Sequence, residues 1–139
     1  MEFTFSEDQD ELRRAARRFL QSESSEPRVR AAMDSERGYD PGVWRQLSEE
    51  LAWTALTIPE TYGGLGMSLL DLHPLMEEMG RALLCAPFFS TVCLGANALL
   101  VAGSEELKEE HLAPIAAGEL TATLAPLGQP LRGLLVGGR

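Results

Sequence analysis

The chain has 139 residues, of which 45% are hydrophobic and 24% charged, and its formal net charge is −9. This length suits one domain with a core of its own, and the acidic balance argues against a nucleic-acid partner, because nucleic-acid-binding surfaces are basic. No stretch reaches the run of about 18 apolar residues that a membrane helix needs, and the N-terminus lacks the features of a secretory signal, so we expect a cytoplasmic protein.

A helix is predicted to begin after Ser6, because Ser6 and Gln9 have the spacing of a capping box. Apolar residues then recur at helical spacing along one face: Leu12, Ala15, Ala16, Phe19 and Leu20. The acidic start of this helix is followed by an arginine run, Arg13, Arg14, Arg17 and Arg18. This charge order suits the helix dipole, and we interpret the arginines as a solvated face.

Two further helices are predicted in the next part of the chain. A short helix follows Pro27 through Met33, and another begins at Asp40-Pro41, where aspartate is a good N-cap and proline suits the first helical position. The periodicity of the second helix places three residues inward, Trp44, Leu47 and Leu51.

The segment from Ile58 to Ser68 reads IPETYGGLGMS, with three glycines within four residues. Glycine permits positive φ, and Pro59 marks a turn. A phosphate-binding role is disfavoured, because the glycine spacing matches neither nucleotide-binding motif and no lysine or arginine accompanies the loop. We interpret the loop as a connector to a helix that Ser68 and Asp71 cap.

The capped helix carries an apolar set at helical spacing: Leu69, Leu72, Met76, Met79 and Leu83. Pro74 lies too deep for the first turn and should kink the helix or delay its start. Gly80 costs about 1 kcal/mol relative to alanine within a helix, so we expect another helix to approach closely there.

The segment from Pro87 to Val101 is apolar on nearly all sides, which predicts a helix buried on most of them. Ser104 then caps an acidic helix that Gly118 ends. Its inward positions are Leu107, Leu112 and Ile115. Residues 120–125 alternate in hydrophobicity and contain β-branched threonines, so a strand is predicted to start there.

Few residues suggest a catalytic or metal site. Cys85 and Cys93 lack a metal-type spacing, and their apolar helical surroundings predict buried thiols. The histidines, His73 near Glu77 and His111 beside Glu109 and Glu110, do not reach three convergent ligands, so no metal site is predicted. Adjacent acids are interpreted as solubilising faces: Glu49-Glu50, Glu77-Glu78, Glu105-Glu106 and Glu109-Glu110.

Five separated motifs follow one another along the chain: FSEDQ at 5–9, PETYGGLG at 59–66, EEMGRA at 77–82, GSEELKEEHL at 103–112 and AGE at 117–119. In this order they resemble the N-terminal helical domain of the flavin-dependent acyl-CoA dehydrogenases, over about residues 2–125. The resemblance implies an all-α, orthogonal bundle of about five to six helices over residues 1–119, with the start of a β-strand near 120–125. Residues 120–139 would be the start of a missing middle β domain or a loose C-terminal tail.

The resemblance also implies the chemistry of a larger, three-part enzyme. Such enzymes hold FAD between domains and across subunits, and they remove hydrogens from C2 and C3 of an acyl-CoA in fatty-acid or steroid side-chain β-oxidation. A glutamate takes the α-proton, hydride leaves C3 for the flavin, and an electron-transfer flavoprotein then receives the electrons.

The chain departs from the family where the flavin segment is expected. Family members continue from the strand into Thr-Glu-Pro-Gly-x-Gly-Ser-Asp, whereas residues 125–132 here read APLGQPLR. No glutamate of this chain matches the catalytic base, and no residue is assigned to catalysis, cofactor binding or metal binding. We therefore expect a truncated member or a fragment that neither binds FAD nor catalyses the reaction by itself.

The resemblance assigns the walls of the acyl cavity to the helices matching residues 68–82 and 87–101. The predicted contact residues are Phe88, Phe89, Ser90, Cys93, Leu94 and Asn97. An apolar helix is equally explained as plain core, so both interpretations stay open. An alternative function is a non-catalytic helical module that docks on a full-length relative or on another copy through an exposed apolar surface.

Overall fold

The computed structural model describes residues 5–125 and the backbone of residues 135–138. Within these residues the chain forms six α-helices, two π-helical segments, two 3-10 turns and one pair of short strands. The chain divides into two compact units, Met1–Asp40 with Ser68–Cys85, and Pro41–Met67 with Ala86–Arg139. This helical architecture confirms the predicted fold class. No helix of the described residues is long and apolar enough to span a membrane.

The first unit contains α1 (Glu7–Glu23), α2 (Glu26–Met33) and α4 (Leu69–Arg81), and α1 packs along α4. The predicted capping box of α1 is confirmed. The Gln9 N–H donates to Ser6 Oγ at 3.2 Å, and the Ser6 N–H donates to Gln9 Oε1 at 3.1 Å. These bonds satisfy amides that would otherwise lack partners at the start of the helix.

The core of the first unit is apolar, and its buried residues include Ala16, Leu20, Leu72, Leu75 and Met79. Two leucines that the periodicity placed inward, Leu69 and Leu83, are instead exposed. Leu69 is the first residue of α4, whereas Leu83 lies beyond its end with φ +52°. Helical periodicity does not apply at either position, because each lies at or beyond an end of the helix.

The interior of α4 bears on two expectations. The helix begins at Leu69 and contains Pro74, so the proline does not delay its start, and the alternative effect, a kink, stays a prediction. No heavy atom of the described chain lies within 4 Å of a Cβ placed on Gly80, apart from the glycine's own helix and chain neighbours. Gly80 therefore does not serve a close helix–helix approach within the described residues.

The second unit contains the remaining described elements. These are α3 (Pro41–Arg45) with its π-helical continuation Gln46–Glu50, the 3-10 turns Trp53–Ala55 and Glu60–Tyr62, the π-helical segment Phe89–Ala96 with α5 (Asn97–Ala102), α6 (Glu105–Ala116), β1 (Leu120–Thr123) and β2 (Leu135–Gly138). The strands β1 and β2 are antiparallel, with Leu120 opposite Gly138. The predicted strand is thus present, and it has a partner within the segment interpreted as the start of a β domain or a tail.

An apolar cluster joins the elements of the second unit, and it includes Ile58, Leu99, Leu112, Ile115 and Ala122. Leu51 and Leu107, which were predicted to face inward, are exposed. Leu51 follows the π-helical turn, whose wider spiral, with an N–H from Leu51 to the carbonyl of Gln46, shifts the phase of later side chains.

The glycine loop folds back on the chain that precedes it. The N–H groups of residues 63–67 all donate to carbonyls of residues 55–60, at 2.8 to 3.1 Å. Gly63 and Gly66 have positive φ, and a Cβ on Gly64 would lie 1.9 Å from the Ile58 carbonyl oxygen. The loop is therefore a closely packed connector whose amides are already engaged within the chain, so they are not presented to an anion.

Candidate functional site

The predicted contact residues occupy one side of the π-helical segment and the start of α5. Phe89 is 56% exposed, and the partly buried residues around it are Ser90, Cys93, Leu94 and Asn97. We call these five residues the accessible face. Phe88 differs from them, because it is only 2% exposed and belongs to the interior of the described structure.

The opposite side of the same helix is fully buried, and its residues are Thr91, Val92, Gly95, Ala96 and Leu99. The expected burial on most sides holds for this helix, because within residues 88–101 only Phe89 and Val101 are exposed and the others are buried or partly buried. Sequence alone could not separate the two sides, because both are composed mainly of small or apolar residues. The π-helical geometry further displaces side chains from the 3.6-residue period.

Two residues of the buried side hold the helix against strand β1. Thr91 Oγ1 accepts a hydrogen bond from the Ala122 N–H at 3.2 Å, and Thr91 is completely buried. A Cβ on Gly95 would lie 2.6 Å from the Ala122 Cβ, so only glycine permits this approach. Neither residue has a predicted role from the sequence, although a glycine inside a helix usually has a packing or functional reason.

The accessible face is apolar with a few polar groups. Phe89 and Leu94 provide apolar surface, and the hydroxyl of Ser90 donates to the Pro87 carbonyl at 3.1 Å. Burial raises the pKa of the Cys93 thiol, so the reactive thiolate is disfavoured at neutral pH. The chemistry of this face suits contact with an apolar chain better than nucleophilic attack.

The two cysteines do not match their predicted surroundings. Both thiols are partly accessible and reduced, whereas the sequence predicted buried ones. Cys85 also lies in the connection after α4 and not in a helix. Its position beyond the helix end explains the difference, because side chains in such connections lie near the surface.

The sequence did not predict an ion pair in the first unit between a buried carboxylate, Glu78, and a half-exposed guanidinium, Arg17. The Glu78 side chain is 3% exposed, and its two oxygens accept from Arg17 Nε at 3.0 Å and from Arg17 Nη2 at 2.6 Å. These bonds hold the pKa of Glu78 below its ordinary value, against the opposing effect of burial. Glu78 is therefore not part of a solubilising face. Arg13 and Arg17 pair with α4, whereas Arg14 and Arg18 are exposed, as the interpretation of the arginine run predicted.

Arg13 extends this charged contact along the two helices. Its guanidinium pairs with Glu77 and lies 4.4 Å from the centre of the Phe5 ring, which stacks on His73. Gln9 donates to Asp71 at 2.8 Å, and the bonds from Ser68 together with this one lower the pKa of Asp71. The polar side chains of α1 thus contact those of α4 in the same order along both helices.

A cleft of about 260 Å³ lies in this unit where α1 and α4 end, and Arg17 and Arg81 line it. Helix C-terminal ends carry unpaired carbonyls and a partial negative charge. Arg81 is a basic residue in the last turn of α4, which suits that charge, and the Ser24 hydroxyl donates to the Ala82 carbonyl at 3.0 Å. The polar residues of the cleft therefore belong to the ion pair or to the helix ends.

Other acidic side chains in the described residues are also engaged. Glu105 accepts from the Tyr62 hydroxyl at 2.7 Å and from Lys108 at 2.9 Å, which lowers the pKa of Glu105. Among residues 5–125, no three histidine, cysteine or acidic side chains come together as a metal site.

The resemblance places the family's flavin segment directly after strand β1. The described residues there are Leu124 and Ala125, and Thr123 has the last hydroxyl before them. The acidic and hydroxyl groups of the family's flavin segment have no equivalents in APLGQPLR. Most of that segment lies outside the described residues.

Comparisons with known proteins agree with this description. The chain matches the family described as "Acyl-CoA dehydrogenase, N-terminal domain" over residues 6–119. It is 43% identical over 105 residues to acyl-CoA dehydrogenase IpdE2 of Mycolicibacterium smegmatis, covering 76% of this chain and 33% of the relative.

Two solved structures share the fold. The "Tcur3481-Tcur3483 steroid ACAD G363A variant" gives a TM-score of 0.76 at 30% identity, over 84% of this chain and 32% of that one. The ChsE4-ChsE5 complex from Mycobacterium tuberculosis gives 0.80 at 25% identity, over 88% of this chain and 34% of that one. The chain therefore spans about a third of the length of the relatives it matches.

Proposed function

The chain belongs to the acyl-CoA dehydrogenase family, and on this premise we propose that it supplies helices of the acyl-binding cavity of such an enzyme. The observation that carries the proposal is the accessible face, an apolar surface on a helix whose other side is fixed in the core. Phe89 and Leu94 would contact the acyl chain, and the polar groups of Ser90 and Asn97 would limit how it lies.

Cys93 makes this proposal testable without catalysis. The intact chain is treated with a maleimide, and mass spectrometry follows the labelling rates of Cys93 and Cys85 separately. We expect an added acyl-CoA to slow labelling of Cys93, because the acyl chain covers the accessible face. Cys85 is the internal control, and its rate should not change. Equal Cys93 rates with and without the acyl-CoA would contradict the proposal.

The substrate class we propose is an acyl-CoA with a bulky, steroid-derived acyl group. The support is that one solved relative of similar fold is named as a steroid enzyme. In the same labelling experiment, a steroid-derived acyl-CoA should protect Cys93 at a lower concentration than a straight-chain acyl-CoA. The reverse order would assign the cavity to fatty acyl groups.

We propose that this chain does not catalyse dehydrogenation by itself. FAD is the cofactor of the family, and it supplies the hydride acceptor when bound. The described residues fit neither a flavin site nor the glutamate base. The purified chain, mixed with FAD and an acyl-CoA, should show no flavin bleaching in its visible spectrum, whereas stoichiometric flavin binding followed by bleaching would refute inactivity. For the complete enzyme we propose an electron-transfer flavoprotein as electron acceptor.

A second candidate is a docking role toward another acyl-CoA dehydrogenase chain. The observation favouring it is that both solved relatives are named as pairs of proteins. Exposed apolar side chains such as Phe89 and Val101 could be covered by such a partner. Light scattering after size exclusion distinguishes the outcomes: a stable complex with a full-length relative supports docking, and a monomer that ignores it does not.

A further inference from the structure

We infer that Thr91 and Gly95 are positioning residues for the accessible face, an inference that rests on the proposed function. They lie on the buried side of the same helical turns that carry Ser90, Cys93 and Leu94. Strand β1 is the element that they hold, through the Ala122 backbone. The position of the accessible face is therefore fixed by residues on the buried side of the helix, which an acyl chain would not contact.

The hydrogen bond to Thr91 fixes the position of the helix relative to strand β1. Ala122 is 5% exposed, and its N–H donates to the buried Thr91 hydroxyl in a bond between a helix side chain and a strand backbone. A buried N–H without a partner is unfavourable, so the bond specifies one position of the helix relative to the strand. Sliding or rotating the helix would break it.

Gly95 fixes the distance between the two elements. A Cβ there would also lie 3.2 Å from the Ala122 carbonyl carbon and 3.3 Å from the Thr123 nitrogen. The Ala122 Cβ, which would lie 2.6 Å away, and the strand backbone next to it occupy the space that any side chain at this position would need. The helix backbone and strand β1 are thus closely packed, so a displacement of one displaces the other.

The segment Phe89–Ala96 is π-helical, so its side chains depart from the α-helical register. π-helical turns are rare and are frequently found at functional sites. Here the contact of Thr91 and Gly95 with β1 falls within that segment. We therefore assign the contact the role of stabilising the π-helical register, in which Cys93 and Leu94 belong to the accessible face.

The test compares Thr91→Val with Thr91→Ser in the full chain. Valine removes the hydroxyl acceptor at nearly constant volume, whereas serine retains it. In Thr91→Val we expect amide exchange of Ala122 and maleimide labelling of Cys93, both measured without ligand, to rise by about tenfold, as loss of a buried hydrogen bond implies. The acyl-CoA concentration that half-protects Cys93 should rise as well. Thr91→Ser should restore all three values.

Thr54→Val is the matched control. Thr54 is also completely buried in the second unit, and its hydroxyl donates to the Ala116 carbonyl at 2.7 Å. If Thr91 acts only through general stability, Thr54→Val will change Cys93 labelling as much as Thr91→Val, and the inference fails. An unchanged Ala122 exchange rate in Thr91→Val would also overturn it. Absence of acyl-CoA protection in the unsubstituted chain refutes the proposed function instead, and leaves the ligand-free measurements to decide this inference.

Discussion

The two units are stabilised by different kinds of contact. In the first unit, polar side chains connect α1 with α4, from Gln9 and Asp71 at one end to Arg17 and Glu78 near the other. In the second unit, an apolar cluster is joined by buried bonds to backbone, such as the one from the Thr54 hydroxyl to the Ala116 carbonyl at 2.7 Å. The stability of the first unit should therefore depend on pH, and the stability of the second unit should depend on side-chain volume at packed positions.

The largest effect is expected from Gly64→Ala in the second unit. The new Cβ would meet the Ile58 carbonyl 1.9 Å away, and the backbone must move to avoid it. We expect a loss above about 4 kcal/mol in unfolding free energy, the range of severe steric mechanisms. Trp44 and Trp53 are both buried in this unit, so tryptophan fluorescence during urea unfolding measures the loss. Native-like unfolding of this variant would show that the loop tolerates expansion.

The next effect concerns Glu78→Gln in the first unit. Because folding lowers the pKa of this carboxyl below its ordinary 4.5, its stabilising effect is complete above that pH and is lost as the pH falls through and below it. The variant should be less stable than the unsubstituted chain at neutral pH, and the difference should shrink as the pH falls below 4.5. Hydrogen exchange of α1 and α4 measures it.

Glu26→Gln is the control for that experiment. Glu26 pairs with Arg30 on an exposed surface, where the side chains are 77% and 74% accessible. The stability of the Glu26→Gln variant should depend on pH in nearly the same way as that of the unsubstituted chain. If both variants respond to pH alike, the buried pair is not the source of the pH response.

A smaller and opposite effect is expected for Gly80→Ala in α4. No heavy atom outside the helix's own backbone and the chain neighbours lies within 4 Å of the added Cβ in the described structure, and alanine favours a helix over glycine by about 1 kcal/mol. The variant should unfold at higher urea concentration. Destabilisation would indicate a contact at Gly80 that the described residues do not provide. Comparison of Gly80→Ala with Gly64→Ala distinguishes a replaceable glycine from one that close packing requires.

The smallest effect is expected for Arg30→Ala. The pair with Glu26 spans one helical turn in solvent, and such pairs contribute less than about 0.5 kcal/mol. Equilibrium unfolding should barely distinguish this variant, in low or high salt. A loss comparable to that of Glu78→Gln would remove the distinction between buried and surface charge in the first unit.

Local signals in the sequence predicted much of the fold. Ser6 with Gln9 located the start of α1, and Ser104 located the start of α6, because capping chemistry is specified by neighbouring residues. The ordered motifs identified the family, which the match over residues 6–119 confirms. Periodicity failed near helix ends and after π-helical turns, as Leu83 and Leu51 show.

The long-range contacts could not be predicted in the same way. Arg17 and Glu78 lie 61 residues apart in sequence, and each resembles a member of an ordinary charged surface. Thr91 and Ala122 are 31 residues apart, and nothing local to either indicates their bond. Which candidate contact residues meet an acyl chain stays a prediction. Their split between Phe88 in the interior and Phe89 at the surface depends on how the π-helical segment packs.

The glycine loop has a practical consequence for handling the protein. Glycine-rich surface segments are usual choices for inserting tags or protease sites, because most of them tolerate insertion and cleavage. Here the amides of residues 63–67 all bond to the preceding turns, and a protease must draw an extended segment away from its surroundings in order to cut it. This segment should therefore resist cleavage despite its composition, and an insertion would be better placed at Gly38, where, apart from the chain neighbours, no heavy atom of the described residues lies within 4 Å of an added Cβ.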